Sequence, residues 1–144
     1  MTDQRAPLGP TVPAGGAGVP WLPPAGSAAC LVACGRWFDA VCLRSFDAVR
    51  ALSRLRERSG ALLENQDVWR MAWLVEPRAA DGWELRGVRI LGRGASLTVP
   101  PADATGSGAR LRWLLPPGEH GALTDPAELR RALAATLGRR RRWR

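Results

Sequence analysis

SFDAVRALSRLRERSGALLENQDVWRMAWLV, residues 45–75, changes its apolar period midway, and that change decides the fold class. In the first half Phe46, Val49, Leu52 and Leu55 recur every three residues while arginines occupy the other face. Ser45 stands at the N-cap position, Asp47 falls in the first turn and Gly60 supplies a stop. The spacing therefore predicts an amphipathic helix with those four apolar side chains on one stripe. Past Gly60 the period falls to two. ALLEN (61–65) and VWRMAWLV (68–75) read as strands, with Trp69, Met71, Trp73 and Val75 on one face of the second.

Outward from this stretch the same signals recur. AACLVAC (28–34) and WFDAVCL (37–43) are short apolar runs of strand formers separated by Gly35, and VRIL (88–91), SLTV (96–99) and RLRWLL (110–115) add further strands. The Gly92-Arg93-Gly94 turn predicts that VRIL and SLTV form a hairpin. In TDPAELRRALAATLG (124–138), Asp125 as N-cap, Pro126 at the first helical position and Glu128 three residues past the cap predict a second helix, with Leu129, Leu133 and Leu137 on one stripe. Strand, helix, a run of strands and a helix make an α+β domain with a mostly antiparallel sheet and two main helices. Residues 1–27 draw 15 positions from Ala, Gly and Pro and read as a disordered arm, with Trp21 and Leu22 able to dock on the domain. The domain is expected over 28–138, followed by a basic tail, 139–144.

The chain has 144 residues, 21 basic and 13 acidic, and every basic residue is arginine. Five of those arginines sit in the tail, RRRRWR, which leaves 16 basic residues against 13 acidic ones in the body. Three groups could meet phosphates: the helix face (Arg44, Arg50, Arg54, Arg56, Arg58), a sheet set (Arg86, Arg89, Arg93, Arg110, Arg112) and the tail (Arg139, Arg140, Arg141, Arg142, with Trp143 able to stack). The helix set reads as solvated surface diluted by Asp47 and Glu57. In the sheet set Arg110 and Arg112 alternate on one strand, so that with Arg89 and Arg93 from the neighbouring hairpin a shared face would be a basic stripe.

Several functions lack the residues they need. Cys30, Cys34 and Cys42 have no fourth ligand in a spacing that specifies zinc, and the only histidine, His120, lies far along in a Pro/Gly loop. The thiols are expected to be reduced. Leu31-Val32-Ala33-Cys34 before Gly35 has the form of a lipoprotein cleavage box, yet Pro20, Pro23, Pro24 and Gly26 break the apolar run such a signal requires. No segment reaches the length of a bilayer span, so the expectation is a cytoplasmic protein without a membrane partner. There is no P-loop or dinucleotide fingerprint, and the acids are scattered singly.

Residues 70–117 carry a resemblance. RMAWLVEP, VRILGRGASLTVPP, the TGSG turn and RLRWLLPP follow the order seen in the bifunctional DNA primase/polymerase N-terminal domain, of the archaeo-eukaryotic primase superfamily; Gly92-Arg93-Gly94, Pro100-Pro101 and Trp113 fit its spacing. FDAVCLRSFDAVRALSRL can be laid on that family's strand-to-helix segment, so the resemblance covers roughly 36–117. It implies an RRM-like core. It also implies a lost active site: Asp39 matches the first acid of a metal-binding Asp-x-Asp pair, Val41 stands at the second, Met71 where a nucleotide-contacting histidine would be, and Arg89 at a later metal-binding acid. One carboxylate cannot hold a two-metal cluster. The expectation is a non-catalytic primase/polymerase-like domain without metal or cofactor, binding DNA or RNA or a replication protein through Arg89, Arg93, Arg110, Arg112 and the tail. Alternatives are a protein-interaction domain whose tryptophans form a docking surface, and residual primase or polymerase activity dependent on Asp39.

Overall fold

A computed structural model describes residues 19–106, 108–118 and 122–138. Its elements are β1 (Cys30–Ala33), β2 (Asp39–Arg44), α1 (Ser45–Leu55) with a 3-10 turn (Arg56–Arg58), β3 (Leu62–Asn65), β4 (Arg70–Val75), β5 (Arg89–Leu91), β6 (Ser96–Val99), β7 (Leu111–Leu115) and α2 (Pro126–Leu137). Five strands form one antiparallel sheet in the order β5-β2-β4-β3-β7, and β1 and β6 form a separate two-stranded ribbon. The fold is α+β with a mostly antiparallel sheet and two helices, as the alternation of periods predicts. Its centre is a split β-α-β unit: β2, α1 and β3 with β4 inserted between the two strands.

The two sheet faces are buried differently. Val41, Leu43, Leu62, Met71, Trp73 and Val75 pack against Ala48, Ala51 and Leu55 of α1 and Leu129 and Leu133 of α2. Ala40, Leu63, Ala72, Leu74 and Trp113 face the ribbon, through Val32 and Val99, together with Trp21, Leu22 and Phe38. β4 is thus buried on both faces, and only its first residue, Arg70, is exposed. Trp21 lies edge-on to Phe38 with ring centroids 5.0 Å apart and 6.3 Å from Trp113. Trp21 and Leu22 are therefore members of the core, and the packed chain begins ahead of residue 28, where the composition shift placed its start.

Two local expectations are corrected. The predicted stripe of α1 is not its buried face: Ala48, Ala51 and Leu55 are buried, while Phe46 is 71% and Val49 51% exposed. A strict period of three slips about 60° per step against the helix, so Phe46 and Leu55 end on opposite sides. Ser45 is the first helical residue rather than the cap; Arg44 occupies the cap, and its side chain makes no capping bond. Asp125 does cap α2, accepting from the Glu128 N–H at 2.9 Å.

The predicted β5–β6 hairpin does not form. β5 pairs with β2, whereas β6 pairs with β1 in the ribbon. A tight turn, with the Ala95 N–H donating to the Gly92 carbonyl at 2.9 Å, hands the chain from one sheet to the other. Gly35 closes the ribbon against this turn at φ +97°, and a Cβ there would stand 2.9 Å from Arg93 Cα. Only glycine fits both the backbone and the contact.

Candidate anion-binding cleft

The positions singled out by the resemblance do not converge. Asp39, Val41 and Met71 share the helix side of the sheet by strand register, and all three are buried. Arg89 is paired with Cys42 and lies on the opposite, ribbon side. The expected placement of Arg89 beside Asp39 is therefore corrected. Asp39 Oδ2 accepts the Arg78 N–H at 2.8 Å, and Arg78 adopts φ +68° in doing so. Among the described residues no donor reaches Oδ1. No three His, Cys, Asp or Glu side chains among the described residues are grouped to hold a metal ion. His120 and the tail arginines Arg139, Arg140, Arg141 and Arg142 with Trp143 lie outside the described residues.

The sheet arginines do not form one stripe either. β5 and β7 are opposite edges of the sheet, so Arg89 and Arg112 are separated by its full width. Arg112 is a structural cation: its guanidinium donates to Glu64 at 3.0 Å, and both side chains are largely buried. Arg110 pairs with Asp67. Arg93 belongs to the turn after β5, and Arg86 lies in the loop before it, beside Arg44, Asp47 and Arg50.

What the fold does bring together is a different set. Register places Arg44 of β2 directly opposite Arg70 of β4, and Arg89 of β5 opposite Cys42, two residues from Arg44 on the same strand. Three cations thus stand on adjacent strands and on one face, where like charges directly opposite destabilise a sheet. Arg44 is relieved by Asp47 at 3.3 Å. Arg70 and Arg89 pair with no carboxylate among the described residues.

Both line a cleft of about 340 Å³ between sheet and ribbon, with Leu63, Leu91, Leu97 and Leu111 as its apolar walls. Cys42 also lines it, and its thiol reports on the surroundings. Burial pushes it up to about 12, the neighbouring Cys34 adds to the rise, and the charges of Arg89 and Arg70 draw it partly back. Cys34 is raised to about 11, by burial first and then by the charge of Asp39. Neither thiol is a nucleophile at neutral pH.

Beside the cleft lies a separate aromatic hollow. Phe46, Val68 and Trp69 line a shallow hollow with Arg44 and Arg70, and Val68 and Arg70 belong to both depressions. Trp69 is not on the β4 face that the alternation gave it. It ends the β3–β4 turn at φ +54° and is 64% exposed, with its carbonyl accepting the Ser45 N–H. A bulky residue in the left-handed region is uncommon and costs about 1–2 kcal/mol relative to an ordinary backbone. Sequence reasoning missed Arg70 and misplaced Trp69. The available signal was the polar Glu64-Asn65-Gln66-Asp67 run before Val68, which marks a turn and starts the strand later.

No helix among the described residues is long and apolar enough to cross a membrane. The chain matches no protein-family profile, no curated protein and no solved structure.

Proposed function

We propose that this chain is a non-catalytic, primase/polymerase-like module that binds single-stranded nucleic acid across the ribbon-side edge of its sheet. The observation that carries the reading is the trio Arg44, Arg70 and Arg89 on adjacent strands beside the exposed, strained Trp69. Arg70 and Arg89, which pair with no carboxylate among the described residues, supply phosphate contacts, and an exposed indole supplies a platform for an unstacked base. The split β-α-β core is compatible with the RRM-like core that the primase/polymerase resemblance implies, and Asp39 as the one carboxylate at that family's metal-binding positions supports binding without catalysis. A duplex offers no free base face to Trp69, so single strands are preferred.

Fluorescence-anisotropy titration of a labelled deoxyoligonucleotide at several salt concentrations tests this. Affinity should fall linearly on a log–log plot against salt. Trp69→Ala should weaken binding about tenfold, within the range for one base stacked on one aromatic side chain. Arg89→Ala should lower the salt slope by about one. Salt-independent affinity, or full binding by both variants, would overturn the proposal.

A second reading rests on α1. Phe46 and Val49 stand outward at adjacent helical positions, which is the pattern of a protein-docking face. Val49→Ser should weaken such docking and leave oligonucleotide binding within twofold.

A further inference from the structure

We propose that the cleft between sheet and ribbon binds a small aliphatic carboxylate, its head held by Arg70 and Arg89 and its tail laid along Leu63, Leu91, Leu97 and Leu111. This inference does not depend on nucleic-acid binding, although the two ligands would share the arginines.

The lining argues for it on three grounds. No Asp or Glu contributes to the cleft, so an anion meets two guanidinium groups and no opposing charge. Both positive charges are felt at the Cys42 thiol, inside the cleft, so the heads of Arg70 and Arg89 act on its interior. Beside the polar Asn65, Ser96 and Thr98, the apolar part of the lining is aliphatic with no aromatic ring, which favours a flexible hydrocarbon tail over a stacked base. Arg is also the side chain best suited to a carboxylate, through paired, charge-assisted N–H donors.

Size sets the length of the tail. A cleft of about 340 Å³ lies at the small end of the range for ligand pockets, which suits a short chain such as octanoate.

Calorimetric titration of the full chain with butyrate, hexanoate, octanoate and decanoate, and with octanol, tests the proposal. Burial of each methylene is worth about 0.8 kcal/mol, so affinity should rise roughly fourfold per added CH₂ up to octanoate and then level. Octanol should bind at least tenfold more weakly than octanoate. Arg70→Gln with Arg89→Gln should remove that difference while the far-ultraviolet circular dichroism stays unchanged, since both residues are exposed. A flat chain-length series, equal affinity for acid and alcohol, or undiminished octanoate binding by the glutamine variant would each overturn the proposal. Trp69→Ala separates this site from the nucleic-acid reading: it should leave octanoate binding unchanged and weaken the oligonucleotide. Octanoate bound by a chain that takes no oligonucleotide would reject that reading alone.

Discussion

Cys34 and Cys42 show how single residues couple burial to pH. Their thiols lie at about 11 and about 12 in the folded chain, against an ordinary value of 9.0. A group whose folded value is raised contributes its full stability below its unfolded value. That contribution is lost as pH climbs from about 9 towards 11 and 12, because the unfolded chain releases its protons first. Denaturant midpoints measured at pH 8 and pH 10 should therefore drop on the alkaline side, and a Cys34→Ala, Cys42→Ala chain should drop less. Arg89→Ala alone should slow iodoacetamide alkylation of Cys42, since removing a nearby cation disfavours the thiolate. Trp69 presents the other residue-scale lesson. Its place in the alternation is no guide, because the turn sets its backbone before the strand begins.

Among the elements, β7 is fastened to β3 by a charge pair as well as by its ladder. Glu64 and Arg112 are register partners, with side chains 6% and 18% exposed. Arg112→Met would leave a buried carboxylate without its cation and should cost about 3 kcal/mol in urea unfolding, at the lower end for a broken buried pair. Adding Glu64→Leu should recover most of the loss. This places Arg112 in the scaffold, where its alternation with Arg110 had suggested a phosphate contact. Each element's type was legible from local signals: the change of period at Gly60, Pro126 at a helix start, Gly138 at its end. Pairing was not. Gly92-Arg93-Gly94 reads the same whether the chain returns to its own sheet or crosses to another, and only the distant β1 decides between them. The cleft was illegible for the same reason. Arg89 was named from the sequence, but its neighbour Arg70 becomes a neighbour only through β2, which lies between their strands.

At the scale of the whole molecule, the sheet is closed on one side by helices and on the other by a ribbon tied down by residues far away in sequence. Trp21 and Leu22 complete that second layer. Gly26 N–H donates to Asp103 Oδ1, and Ala102 N–H donates to the Pro23 carbonyl, so the segment is bonded as well as packed. Trp21→Ala should therefore destabilise the whole domain by about 3 kcal/mol or more, as for other large-to-small core changes, and do so cooperatively in thermal unfolding. A chain starting at residue 28 should show the same loss and bind a dye for exposed apolar surface.

The ribbon has a consequence for how the protein is made. Cys30 pairs with Val99, so β1 leaves the ribosome long before its partner exists. Until β6 and then β7 have followed, β2, β3 and β4 can fold only around α1, with no more than Trp21, Leu22, Phe38 and the unpaired β1 to cover their other face. The nascent chain therefore passes through a stage in which Ala40, Leu63, Ala72 and Leu74 are open to solvent and to neighbouring chains. Fast translation across residues 76–99 would shorten that exposure, and a pause there would turn a sound sequence into an aggregation-prone one.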